Sequence, residues 1–306
     1  MRVLVTGATG FIGRLLVPQL VAQTDTAVTL LILESQSGTP LPPPLNQLRP
    51  QMGVVYADLR NFQLTLRAVQ EAQPDKVIHL AAAGTTDPFL PVEQALRHNV
   101  SGTINLIRAC FEKTSVTNQL IMARTPGERS AMNTYAASKA AAWQFARMYG
   151  RTQGWPIHGG MIFQAYGPGQ PERAFVPAGF AAALAGQDFP MTAGTQQRDW
   201  IFGADVAAGL AAMLNAPLEP GTTVELGTGQ ATSLADVARL IYDVVGIGGR
   251  PLPGMLPSRP GEEASQIADA AQTAGQIHWR ASTPLRQGVT ALHQHLLNQT
   301  KPALFR

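Results

Sequence analysis

The stretch Arg2–Gly13, RVLVTGATGFIG, decides the fold. RVLVT is a continuous apolar run, the pattern of a strand covered on both faces. It enters a turn carrying Gly7, Gly10 and Gly13. Behind the turn, FIGRLLVPQLVAQ has helical periodicity, with Pro18 removing one helical hydrogen bond. Strand, glycine turn and helix in that order form a cradle for a dinucleotide. Small residues let the backbone approach a pyrophosphate, and the helix start offers free N–H groups and a positive dipole end. The G-x-x-G-x-x-G spacing is one residue longer than the usual fingerprint, with the same physics.

Further along, AVTLLIL, GVVYADL, DKVIHLAAA, QLIMA and IHGGMIFQAYG read as five more buried strands. LTLRAVQEAQ, Leu90–Glu112 and Thr134–Thr152 read as helices between them. Strands alternating with helices predict an α/β fold, a doubly wound parallel sheet (Rossmann-like). After Gly167 the chain turns rich in Pro and Gly, with amphipathic helical runs at Ser233–Val245 and Leu285–Leu297. This predicts a smaller C-terminal substrate lobe. Residues 1–167 would form the dinucleotide-binding domain, with return segments at about 198–240; residues 168–197 and 241–306 would form the lobe.

The chain of 306 residues is 45% apolar and 14% charged, with a net charge of +3. That supports a sizeable core and excludes a disordered chain. The basic residues form no run, so no nucleic-acid partner is implied. The single cysteine, Cys110, excludes an intrachain disulfide and lies in an apolar helical pattern. No apolar run reaches membrane-spanning length. The first strand starts almost at Met1, so a cytoplasmic protein is expected. No metal site is expected.

Ile121–Lys139, IMARTPGERSAMNTYAASK, ends in Tyr135 and Lys139 at helical i, i+4 spacing. Both then face one side of a helix. A phenol titrates near 10 and is a poor base at neutral pH; reaching ~7 takes about 4 kcal/mol of differential stabilisation. Lys139 and an oxidised nicotinamide, two cations in a desolvated cleft, are expected to lower it. Glu34 closes the second strand, where a carboxylate can accept from adenosine ribose hydroxyls and repel a 2′-phosphate. NAD is therefore expected rather than NADP, although Ser35 or Gln36 could make that contact instead.

Taken together, these motifs resemble the extended short-chain dehydrogenases/reductases, the NAD-dependent epimerase/dehydratase group acting mostly on nucleotide sugars. The resemblance covers nearly the whole chain. It implies that TGATGFIG binds the cofactor through Gly7, Thr9, Gly10, Phe11, Ile12 and Gly13. It puts Asp58 and Leu59 of ADL at the adenine, and Leu80, Ala81 and Ala82 of HLAAA beneath the phosphates and ribose. Asn99, opening NVSGTINL, joins the cofactor site. Tyr135 becomes the acid/base, and Lys139 a contact to the nicotinamide ribose. Gln164 in FQAYGPG, Arg198 in QRDW and Arg259 in SRPGEE become contacts to a nucleotide-diphosphate sugar, although Met161 stands where an arginine is usual. Asp199 and Asp205 are expected to orient backbone.

The family's hydroxyl partner of the tyrosine is expected to be Thr125, with Ser130 and Thr134 as competitors. The link Arg124–Thr134 is shorter than in most relatives, which predicts an open substrate mouth. The expected reaction is 4-epimerisation, with 4-keto-sugar reduction the alternative. A dehydrogenase of small hydroxy or amino acids, and a non-catalytic cofactor sensor, are remoter readings. Dehydration is disfavoured because Pro126-Gly127 stands where family dehydratases carry Asp-Glu, and Glu128 is expected to be a solvated loop carboxylate. A homodimer through Leu90–Glu112 and Tyr135–Tyr149 is implied.

Overall fold

A computed structural model describes residues 1–85, 87–114, 116–258 and 261–300. The first half holds β1 (Arg2–Thr6), α1 (Phe11–Val21), β2 (Ala27–Ile32), β3 (Met52–Tyr56), α2 (Phe62–Ala72), β4 (Lys76–His79), α3 (Gly102–Phe111), β5 (Gln119–Arg124), α4 (Thr134–Gln153) and β6 (Ile157–Ile162). The second half holds β7 (Gln164–Tyr166), α5 (Phe175–Leu184), β8 (Phe189–Met191), β9 (Gln197–Phe202), α6 (Gly203–Met213) and β10 (Thr223–Leu226). After these come β11 (Ala231–Ser233), α7 (Leu234–Val245), β12 (Pro251–Pro253), β13 (Ser265–Gln266), α8 (Ala270–Ile277) and α9 (Leu285–Thr300).

Seven parallel strands form the main sheet in the order β10-β6-β5-β4-β1-β2-β3. This is the doubly wound α/β fold. The order reverses between β1 and β4, which opens a crevice at their carboxyl ends, the usual ligand position in such sheets. The pleat sends neighbours to opposite faces. Val3 and Val5 pack with Leu16, Val17 and Leu20 of α1 and with Val206 and Leu210 of α6. Leu4 instead joins Val69 of α2, Leu106 and Ile107 of α3, and Trp143 and Ala146 of α4. Two full cores explain why the strands read as unbroken apolar runs.

Four features differ from expectation. The Leu90–Glu112 helix starts at Val92, passes through a π-helical segment at Leu96–Ser101 and ends at Phe111. The sixth strand breaks after Ile162: β7 leaves the main sheet and pairs with β9. β10, the seventh strand, was not foreseen, because TVEL is only four residues long with a charge inside. The second strand stops at Ile32, short of Glu34, which opens a 3₁₀ turn. Among the described residues, no helix is long and apolar enough to cross a membrane.

The helix that matters most, α4, is capped by Asn133, whose Oδ1 accepts the Ala136 N–H at 2.8 Å. Replacing such a cap by alanine costs ~1 kcal/mol. Asn133→Ala should therefore lose about 1 kcal/mol in urea unfolding, while Asn133→Asp keeps most of the stability. Equal loss in both variants would show that the cap is not the cause.

Candidate active site

At the crevice, Gly7 has φ +68°, and a Cβ there would lie 2.6 Å from the Ala81 nitrogen and 2.7 Å from the Leu80 carbonyl carbon. No residue with a side chain fits. The Gly10 N–H donates to the Gly7 carbonyl at 3.1 Å, which closes the turn. A Cβ on Gly13 would meet the Ala8 carbonyl at 2.4 Å, so α1 packs directly on the turn. Gly10 gives α1 no side-chain cap, so first-turn N–H groups such as those of Phe11 and Ile12 remain for an anion. A cleft of about 310 Å³ adjoins the turn, lined by Gly7, Thr9, Asp58, Leu59, Ala81 and Ala82 among others. These residues fit a dinucleotide pyrophosphate and adenosine.

Glu34 is exposed and lies outside the cleft lining, which at that edge is Leu33 and Gln36. Asp58 is held by Arg60, whose Nε donates to both carboxylate oxygens at 2.9 Å. That pairing keeps its carboxyl below the usual range despite partial burial. Arg60 and His98 also line the cleft; the sequence reading missed both. Arg60 directly follows the ADL motif, which was the available signal.

Tyr135 and Lys139 share one face of α4, and the Tyr135 N–H donates to the Pro88 carbonyl at 3.0 Å. Lys139 is 2% exposed. Burial pushes its ammonium down to about 8, against the pull of Glu128. The Tyr135 phenol is pushed up, by burial first and by Glu128 second. Desolvation disfavours the charged phenolate, and a nearby carboxylate disfavours it further.

A buried chain of hydrogen bonds ties this helix to the cofactor strands. Thr103 donates its hydroxyl proton to the Asn99 carbonyl at 2.6 Å, so its contact with His79 Nε2 at 2.9 Å must have the imidazole as donor. His79 Nδ1 is then an acceptor, and Thr6 Oγ1, 2.7 Å away, donates to it. Thr6 Oγ1 in turn accepts the Ala81 N–H at 3.2 Å. The geometry thus allows only the neutral Nε2–H tautomer, in keeping with a pKa near 3 set by burial and by Lys139. Asn99 exchanges two bonds with the Ala83 backbone and donates to Ser138 Oγ at 2.9 Å, while Ser138 donates to the Tyr135 carbonyl at 2.8 Å. Of these side chains the sequence reading singled out only Asn99. A histidine inside the apolar run KVIHL was the one visible hint.

Thr125 caps a 3₁₀ turn over Pro126–Arg129. Glu128 Oε1 accepts the Thr125 N–H at 3.0 Å. Glu128 is not a solvated loop carboxylate: its side chain is 2% exposed and paired with Arg124. Ser130 bonds back to the Gly127 carbonyl within the turn, and Thr134 is the first residue of α4, with Asn133 as its cap.

Beyond the main sheet, Gln164 opens β7 opposite Trp200. Arg198 is buried and already paired with Glu262 at 3.2 Å, an arrangement not foreseen. Arg259 lies outside the described residues. Asp199 accepts the backbone N–H groups of Thr228, Gly229 and Ala268, and Asp205 that of Thr283. Among the described residues no cluster of His, Cys, Asp or Glu could hold a metal ion.

The NAD dependent epimerase/dehydratase family model matches residues 3–227, and the chain belongs to that family. It is 27% identical to the dTDP-glucose 4,6-dehydratase of Xanthomonas campestris pv. campestris (strain B100), with 97% of this chain and 93% of that protein aligned. The UDP-glucose 4-epimerase of Thermus thermophilus, solved with NAD, is 25% identical and superposes with a TM-score of 0.81 over 97% of this chain and 99% of that one. The Thermotoga maritima UDP-glucose 4-epimerase, solved with UDP-glucose, gives 0.85 at 19% identity, over 98% and 100% of the two chains. NAD, the cofactor expected from the sequence, is the family's cofactor. Pro126-Gly127 does not count against dehydration as expected: the Xanthomonas relative and several others are named as 4,6-dehydratases, so that reaction stays open to this chain.

The buried neutral histidines give a testable pH dependence. His79 and His158 are pushed down from 6.5 to about 3 and about 4. Below the unfolded value the unfolded chain takes up protons that the folded chain refuses, so stability falls as pH drops. The slope approaches ~1.4 kcal/mol per pH unit for each histidine. Urea unfolding between about pH 7 and pH 5, above the carboxylate range, should show this decline; a flat profile would refute the neutral tautomer.

Proposed function

We propose that this protein is an NAD-dependent nucleotide-sugar oxidoreductase of epimerase type, with hydride leaving and returning at a sugar carbon, C4. The observation that carries the reading is the placement of Tyr135 and Lys139. They lie on one helix face, and Asn99 and Ser138 tie that helix to the residues flanking the glycine cradle. NAD, when bound, supplies the hydride acceptor and donor. The Gly7–Gly13 turn holds its pyrophosphate, Asp58 and Leu59 flank the adenine, and Lys139 holds the nicotinamide ribose. Tyr135 Oη takes the proton of the sugar hydroxyl, with Thr125 Oγ1 hydrogen-bonded to the same oxygen. Leu33 and Gln36 border the adenosine ribose, with Glu34 just beyond them at the cleft edge. Gln164 and Arg198, together with Arg259, hold the sugar and diphosphate, for which paired guanidinium donors suit phosphate oxygens. Residues 168–197 and 241–306 form the substrate lobe in this reading.

Product analysis with UDP-, GDP-, CDP- and dTDP-sugars tests the reaction. Epimer formation without net consumption of added NADH is expected. A 4-keto-6-deoxy product would assign elimination instead, and stoichiometric NADH consumption would assign reduction. Tyr135→Phe should lower kcat by ~10²–10⁴-fold and Thr125→Ala by ~10²-fold, with NAD binding intact. Full activity in Tyr135→Phe would overturn the proposal.

We also propose a homodimer. Val92, Leu96, Phe145 and Met148 are large exposed apolar residues on neighbouring helical segments. Phe145→Glu should convert a dimer to a monomer in sedimentation; a parent chain that sediments as a monomer would refute it.

A further inference from the structure

Arg124 is the last residue of β5, and Thr125 follows it directly. The pleat turns Leu120, Met122 and Arg124 toward α4, the side of the Tyr135–Lys139 pair. A guanidinium fits there only because β6 carries Gly159 alongside: a Cβ at that position would lie 2.5 Å from Arg124 Cδ. The guanidinium stands 4.3 Å from the centroid of the Trp143 ring. It donates to Thr223 Oγ1 at 2.6 Å and twice to Glu128 Oε2, at 2.9 and 2.7 Å. The side chains of Arg124 and Glu128 are 11% and 2% exposed. Glu128 Oε1 meanwhile accepts the Thr125 N–H. One carboxylate therefore brackets two consecutive residues, one of which is the proposed hydroxyl partner of Tyr135.

We propose that Arg124 and Glu128 are a positioning pair: Arg124 anchors the Glu128 carboxylate, and Glu128 in turn fixes Thr125 in a shortened loop and sets its charge beside Tyr135 and Lys139. This rests on the proposed roles of Tyr135 and Lys139. Burying a carboxylate is costly unless it is paired and hydrogen-bonded; the two N–H donors of Arg124 supply that pairing. Glu128 reaches both members of the pair, raising the phenol of Tyr135 and opposing the loss of the Lys139 proton. The other groups facing Lys139 are Arg124 from β5, which disfavours its charge, and His79 from β4, whose hydrogen bonds hold it neutral. Arg129 and Arg147 bear on Arg124 instead. Among the described residues Glu128 is thus the anion that opposes the burial of Lys139, whose ammonium comes to about 8 as the balance of the two.

The test is Glu128→Gln, which keeps the acceptor for Thr125 and removes the charge. Because Glu128 raises both groups, both limbs of the kcat–pH profile should move together to lower pH, by about one unit. Activity at about pH 8 should fall roughly tenfold, with KM for the nucleotide sugar changed less than twofold. Independently of activity, the pH midpoint for reductive methylation of Lys139, read by mass spectrometry, should move the same way. Arg124→Met/Glu128→Gln removes both charges of the pair and strands neither partner; it replaces the single variant if that one fails to fold, and its expected shift has the same sign. An unmoved profile and an unmoved methylation midpoint in a folded variant overturn the positioning role. Full activity in Tyr135→Phe instead overturns the underlying reaction, whatever Glu128→Gln shows.

Discussion

The hydrogen bond from His79 to Thr103 fixes the direction of everything around it. Thr103 has one hydroxyl proton and gives it to the Asn99 carbonyl, so the imidazole must donate at Nε2 and accept at Nδ1. Thr6 then spends its own proton on His79 and accepts from Ala81, at the wall of the glycine cradle. A buried polar network with every proton assigned admits one arrangement and rigidifies what it joins. Here it joins β1, β4 and the π-helical turn at Leu96–Ser101, and through Asn99 and Ser138 it reaches the backbone of Tyr135. The cofactor cradle and the tyrosine are therefore held in one frame.

That frame needs close backbone approach at the crevice. The contact between Gly7 and the Leu80–Ala81 peptide sets how near β4 comes to the turn, and Gly13 sets how near α1 comes. Gly159 acts similarly on β6, but what it admits is a side chain, that of Arg124. Two glycines admit backbone and one admits a buried cation, and each sets the spacing of an element that the ligand site rests on.

Most of the fold was legible because its signals are local. RVLVT followed by three spaced glycines and a helix is a contiguous pattern, and so is a tyrosine four residues before a lysine. The strands declared themselves because each is covered on both faces. What was not legible depends on residues distant in sequence. Glu128 looks solvated in GERS, because nothing nearby shows that Arg124 folds into a slot made by Gly159 and Trp143. QRDW gives no sign that Arg198 pairs with Glu262, far along the chain. The break after Ile162 was hidden because IHGGMIFQAYG is apolar throughout, so no change of pattern marks where the chain leaves one sheet for another.

The electrostatics of the site follow from burial acting on two groups of opposite sign. Desolvation favours neutral forms, so it raises the phenol and lowers the ammonium. Left alone, this would drift toward a neutral tyrosine beside a neutral lysine. An anion placed near both changes only one of those outcomes: Glu128 raises the phenol further and restores the ammonium. The resting state so favoured at neutral pH is a protonated Tyr135 next to a charged Lys139, with His79 uncharged behind them. Burial alone cannot produce that asymmetry; it takes one fixed carboxylate, held in place by its pairing with Arg124.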